Sequence, residues 1–273
     1  MKTLLLLLAG MGCMVLQAQP TVTKDQLAFE YALSLYEDER FEECTLAFYE
    51  FMAAFPNSPL RGRAHYNLGL IQFQRQHWDA AAAAFKEILA ADYNELDANS
   101  LMEPYALYKH QSCRLLAEIR LEQKDYKAAE EYIRLFEDVY PYQHFCGNEL
   151  TAYAIYLATM KAHVYEGQQK IEKAIRTLVP FVFDNALASN TELLDLLINI
   201  LYRHYGADEI RHELNTALAT IDVKKGKRGG ATMMLYGEKV DMNSYYFEED
   251  DQRHDLAYYQ ARAKETILFT RFL

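Results

Sequence analysis

Between residues 64 and 89 the apolar positions follow a helical period twice over. Leu68, Gly69 and Phe73 mark one apolar face. A polar break at Gln76 and His77 follows, and then Trp78, Ala81, Phe85 and Ile88 recur at spacings of three and four. This pattern predicts two short antiparallel helices joined by a tight turn. The small residues have a physical task. Gly69 and Ala81 let the two backbones approach, while Trp78 and Phe85 fill the space beside them.

The pattern recurs along the chain. Upstream, Phe41, Cys44, Phe48 and Phe51 stand in phase with Trp78, Ala81, Phe85 and Ile88, and Ala32 takes the place of Gly69. Downstream, Tyr126, Ala129, Ile133 and Phe136 repeat it, preceded by Ala117. A weaker copy carries Ala162, Ile171, Ala174 and Leu178. Residues 192–221 read as a further helix pair, broken at Gly206, Ala207 and Asp208. A helix pair cannot bury its apolar faces alone, so in-phase copies predict a stacked array. From residue 223 the character changes. Residues 224–230 make a basic, glycine-rich turn, and residues 231–242, with Gly237 in their middle, read as a weak β-hairpin. Residues 258–273 return to helical or extended sequence. A capping role over the end of the array fits this segment.

The copies resemble the tetratricopeptide repeat (TPR), whose unit is about 34 residues. Residues 24–184 carry the resemblance. The second copy carries it most specifically, through Asn67, Leu68, Gly69, Trp78, Ala81 and Phe85. Extra residues between the first and second copies and after Ala90 break the strict period. The junction Phe55-Pro56-Asn57-Ser58-Pro59 is similar to those in TPR proteins of the Gram-negative cell envelope, such as outer-membrane assembly lipoproteins and Tol-Pal-associated factors. The resemblance implies an all-α fold: a TPR-like α-solenoid of four to five helix pairs over residues 19–222, followed by a small C-terminal capping segment over residues 223–273. It implies a protein–protein interaction scaffold without catalysis, holding a peptide or partner helix in a concave groove lined by the first helix of each pair. Family groove positions carried onto this chain are Phe29, Leu33 and Tyr36 in the first copy. In the second they are Arg63, Tyr66, Leu70 and Phe73, and in the third Arg114, Glu118 and Leu121. Family members that grip a C-terminal carboxylate use Lys and Asn on these helices. Phe29 and Leu33 stand at two of those places, so carboxylate capture is not expected.

Composition narrows the partner. The chain has 273 residues, 51% hydrophobic and 25% charged, which fits a folded protein. Its formal net charge of −11 repels phosphate backbones, so nucleic acid is not an expected partner. At the N-terminus, Lys2, the apolar run from Leu4 to Leu8, and Leu16-Gln17-Ala18 read as a signal peptide over residues 1–18, cleaved after Ala18. That places the chain in the periplasm or outside the cell. Lipid anchoring to the outer membrane through Cys13 fits less well, because Leu is absent three places upstream. The run is too short to cross a bilayer, and no later segment reaches about 18 consecutive apolar residues, so no transmembrane segment is expected.

Motifs for chemistry are sparse. The sequence has no nucleophile elbow, HExxH helix, Walker loop or GxGxxG turn, and no cofactor is expected. One cluster is sharper. His110 and Cys113 are three apart, on one helix face, and His144 and Cys146 follow the second helix of the same copy. A helical hairpin brings these stretches to one end of the repeat. Three readings fit: a Cys113–Cys146 disulfide, a zinc site using all four residues, or ordinary buried thiols and hydrogen-bonded imidazoles. Beyond the leader the cysteines are Cys44, Cys113 and Cys146, an odd number, which leaves at least one unpaired within the chain. Cys44 sits at a small-residue packing position and reads as core. An alternative function follows from the cluster, a metal- or redox-linked envelope protein.

Overall fold

The structure is a computed structural model that describes residues 22–91, 108–142, 147–184, 188–224, 230–242 and 255–273. Among these residues the fold is all-α, built of TPR-like helix pairs, with a small antiparallel sheet near the C-terminus. The pairs are α1 (Lys24–Glu37) with α2 (Phe41–Ala54), and α3 (Arg61–Gln74) with α4 (Trp78–Ala90). The third is α5 (Tyr108–Glu122) with α6 (Tyr126–Arg134), which a π-helical turn extends over Leu135–Val139. The fourth is α7 (Gly147–Gly167) with α8 (Ile171–Leu178), and the fifth is α9 (Thr191–His204) with α10 (Ala207–Ala219). The chain divides into two compact units, Met1–Ala64 and His65–Leu273.

The first four pairs turn in the same way. Glu39, Gln76, Lys124 and Gln169 each adopt a left-handed backbone, with φ of 57, 58, 57 and 62°. Each stands two residues before its second helix. The amide after each donates to a carbonyl five residues back: Arg40 to Leu35, His77 to Gln72, Asp125 to Arg120 and Lys170 to Tyr165, at 2.7–2.9 Å. The left-handed residue itself donates three back, as Gln76 does to Phe73 at 2.9 Å. This double bond pattern is a Schellman ending, which satisfies the last carbonyls of the first helix. Glycine normally fills the left-handed position. Here no copy uses it. The fifth pair turns differently, with Gly206 extended at φ −74°.

Small residues sit where the repeat phase puts them. Ala32, Cys44, Ala81, Ala117, Ala129, Ala162 and Ala174 are all fully buried. In the second pair a Cβ on Gly69 would fall 2.4 Å from the Phe85 ring, so only glycine admits that aromatic. Gly167 plays the same part between pairs, where a Cβ would lie 2.2 Å from the Tyr126 ring.

The expected hairpin forms, and a third strand joins it. Strands β1 (Asp222–Val223), β2 (Ala231–Leu235) and β3 (Glu238–Asp241) run antiparallel in that order. The β2–β3 turn is Tyr236-Gly237, with φ of 47 and 80°, the mirror-type two-residue turn that matches strand twist. Helices α11 (Leu256–Glu265) and α12 (Ile267–Phe272) follow. Ala231, Leu235 and Val240 from the sheet and Leu268 and Phe269 from α12 lie in one core with Leu193 and Leu197 of α9 and Leu214 of α10. The buried Tyr259 hydroxyl accepts the Gly230 amide at 3.0 Å, and the Glu213 carboxylate accepts the Tyr236 amide at 2.8 Å. The C-terminal segment is thus continuous in packing with the last two helix pairs.

Candidate binding surface

The first helices carry the residues that the repeat phase assigns to the inner wall. In the N-terminal unit, Phe29 is buried at 3% exposure, edge-on to Phe48 and Phe51 at 5.5 and 5.6 Å. It is core, overlaid by the exposed Arg63 guanidinium at 5.8 Å. Leu33 and Tyr36 are half-buried, and Tyr36 stacks edge-on to Phe41 at 5.7 Å.

In the larger unit, Tyr66 packs against Phe85 and Tyr108, and Phe73 lies edge-on to Trp78 at 5.3 Å. Tyr66, Leu70 and Phe73 are half-buried against the core shared by α4 and α5, so they line the unit's surface with their outer edges only. Arg114 and Glu118 on α5 form an i,i+4 pair at 2.8 Å. The Tyr156 hydroxyl of α7 donates to Glu118 at 2.5 Å, and Arg114 lies over the Tyr156 ring at 5.7 Å. Gln111 accepts from Arg114 Nε at 3.0 Å. Arg114 and Glu118 keep 29% and 28% of their side chains exposed, so the network is accessible. Desolvation pushes the Tyr156 hydroxyl well above the usual phenol range, and the Glu118 carboxylate adds to this. Tyr156 therefore acts as a neutral donor.

Beside this network is an open cleft of about 270 Å³, lined by His110, Gln111, Arg114, Tyr142, Glu149, Ala152, Tyr153 and Tyr156. His110 is 2% exposed and forms the base. Its Nδ1 is 2.7 Å from the Tyr140 carbonyl. A carbonyl only accepts, so Nδ1 carries the proton. The ring is packed among Phe136, Tyr142 and Tyr153 at 5.3–5.8 Å. The π-helical turn ends at the residue before Tyr140, whose amide donates to the Leu135 carbonyl at 2.8 Å, and so places the carbonyl that orients His110.

Cys113, on the same helix, is a free thiol at 0% exposure. Burial pushes it up to about 12, the reverse of what a reactive thiolate or a metal ligand needs. Cys44 is also free and buried, raised to about 11, and its Sγ donates to the Ala32 carbonyl at 3.1 Å. His144 and Cys146 lie outside the described residues, as do residues 1–18 with Cys13. Among the described residues no group of three or more His, Cys, Asp or Glu is placed to hold a metal, and no helix is long and apolar enough to cross a membrane.

Tyr142, Tyr153 and Tyr156 line the cleft without being among the groove positions carried over from the repeat family. Tyr156 had a signal. It stands 15 residues before Ile171, as Gln111 stands before Tyr126 and Arg63 before Trp78. Extending the groove phase into the fourth copy reaches it.

No family model and no curated protein matches the sequence. Among solved structures, the chain is similar to MamA, residues 41 to the end, from Desulfovibrio magneticus RS-1. Identity is 14%, the match covers 67% of this chain and 86% of that one, and the TM-score is 0.45. A likeness that remote says nothing about a ligand or partner. The assignment of helix pairs rests on the recurring turns and buried small residues described above.

Proposed function

We propose that this protein is an interaction scaffold that binds a peptide or helix of a partner protein along the first helices of its larger unit, by contact alone and without bond chemistry. The observation that carries this reading is the strip made by α5 and α7. Arg114, Glu118 and Tyr156 are held by one another, half-buried, and open onto an aromatic cleft. A fixed arginine and several tyrosines suit recognition, because large rigid side chains bind with little loss of conformational freedom. Leu70 and Phe73 extend the strip with apolar edges for a partner's hydrophobic face. The buried, protonated Cys113 does not favour the metal or redox alternative.

The leader-like residues 1–18 support an extracytoplasmic site of action, in the periplasm or outside the cell, and the Phe55–Pro59 junction supports a Gram-negative envelope setting. Fractionation with N-terminal sequencing tests this. Recovery of cytosolic protein that retains residues 1–18 would overturn it.

The binding proposal is tested by a photoreactive residue at Gln111 or Tyr156 in cells, with exposed Glu131 of α6 as the control position. A discrete adduct from Gln111 and Tyr156 and none from Glu131 is expected. Adducts from Glu131 alone would move the interface off the first helices and end the proposal.

A further inference from the structure

The first helix of the array exposes a stripe whose middle positions are buried in α5. Along α1 and its C-cap, Lys24, Leu27, Tyr31, Ser34 and Asp38 follow one another at spacings of three and four, and all five are exposed. Leu27 is 55% and Tyr31 59% exposed. Alternating steps of three and four keep one seam of a helix facing one partner, the spacing of a coiled-coil interface.

The chain itself shows what such a seam is for. Counting back from the start of the second helix, Leu27, Tyr31 and Ser34 match Ser112, Leu116 and Ile119 of α5. All three of those are at 0% exposure, and Leu116 and Ile119 pack in a core with Ala82, Phe85 and Ile88 of α4. The same face that is an interface in the third pair is therefore open in the first.

The charges on the seam say what fits it. Lys24 lies seven residues before Tyr31 and Asp38 seven residues after. Seven residues is two helical turns, about 10.5 Å on either side. Two copies of α1 laid antiparallel about a two-fold axis at Tyr31 bring each Lys24 against the other copy's Asp38. The tyrosines meet at the centre, flanked by Leu27. The stripe is self-complementary, as an isologous interface requires. A parallel arrangement would set Lys24 on Lys24 and Asp38 on Asp38.

We infer that the protein self-associates through α1, by antiparallel two-fold pairing of the Lys24–Leu27–Tyr31–Ser34–Asp38 seam. One helix from each copy makes a small contact, so the dimer is weak and reversible, with dissociation in the micromolar range of about 1–100 µM. The pairing uses the α1 seam alone, and it does not rest on what α5 and α7 bind.

The test is the molar mass of the purified protein by light scattering or sedimentation, from about 1 to 200 µM. The wild type passes from monomer to dimer. Tyr31→Glu, exposed and so compatible with folding, weakens the dimer at least tenfold with helical circular dichroism unchanged. Lys24→Glu and Asp38→Lys each weaken it, and the double variant restores it. A monomer at every concentration overturns the inference. So does a dimer that tolerates Tyr31→Glu, or charge variants whose effects simply add. Should Tyr31→Glu fail to fold, the charge-swap set decides alone.

Discussion

The second and fifth helix pairs solve the same packing problem by different means. In the second, one glycine admits one aromatic ring, and the turn between the helices is a Schellman ending repeated in three other pairs. In the fifth, α9 is nearly continuous in leucine and isoleucine, with Leu193, Leu194, Leu196, Leu197, Ile198, Ile200 and Leu201 all buried. It packs on α7, α8 and α12, and shares one core with α10 and the sheet. The second pair is specified by local shape, so its residues recur in phase. The fifth is specified by bulk apolar burial from several elements, so the repeat pattern has no reason to persist there. An inner copy needs a standard face on both sides, whereas a terminal pair answers only to whatever covers it.

This contrast predicts that the C-terminal helix matters to stability as much as any repeat. Phe269 is fully buried in the core that holds Leu193 and Leu197. Phe269→Ala should cost about 3–5 kcal/mol. Chemical denaturation monitored by circular dichroism measures it. A loss under about 1 kcal/mol would show that α12 is merely laid on the surface.

The next effect concerns the regular copies. Cys44 and Cys113 lie at close-packed positions, with thiols raised to about 11 and about 12. A raised thiol stays protonated at mildly alkaline pH, where an ordinary cysteine near 8.5 is partly ionised. In native protein at pH 8, both should react with a disulfide reagent on the order of a hundred- to a thousandfold more slowly than in denaturant. Mass mapping of the labelled peptides identifies each site. Rapid native labelling of Cys113 would revive the redox alternative.

Most of the array was legible from sequence because its determinants are local. Gly69 and Trp78, Ala81 and Phe85 sit at fixed offsets, and those offsets are the fold. The hairpin at Tyr236-Gly237 was legible for the same reason. The proposed binding strip was less so. Phe29 matches a family groove position by phase yet is core, because phase fixes the direction a residue faces and not what covers it. Tyr142 and Tyr153 join the cleft through the π-helical turn and the start of α7, a long-range arrangement that carries no periodic signal. The role of Phe269 was equally hidden, since a short apolar tail in sequence does not say which core receives it.

Gly69→Ala probes the local-shape mechanism at intermediate size. Alanine favours helix over glycine by about 1 kcal/mol, but the added Cβ meets the Phe85 ring at 2.4 Å. Overpacking of this kind costs about 1–3 kcal/mol, so the net change should be a loss of up to roughly 2 kcal/mol. In a Phe85→Leu background the clash is relieved, and the same substitution should then cost little or become favourable. Additive losses would mean that the ring moves aside freely, and that the glycine is not what seats it.

The smallest effect separates the two kinds of turn most cleanly, because the favourable substitutions run in opposite directions. Gln76 holds a left-handed backbone that costs a residue with a Cβ about 1–2 kcal/mol, and glycine about none. Part of that relief is offset by the greater freedom of glycine in the unfolded chain. Gln76→Gly should therefore stabilise by about 0.5–1 kcal/mol, and Lys124→Gly in the third pair should do the same. Gly206 is extended, with no atom within 4 Å of where a Cβ would be, and it stands at the N-cap of α10. Gly206→Ser should also stabilise, by about 0.5 kcal/mol, by restricting the unfolded chain and giving a hydroxyl to the first-turn amides. Thermal melts of the three variants suffice. Loss of stability in Gln76→Gly and Lys124→Gly would mean that their side chains, and not the backbone bond pattern, hold the repeat turns.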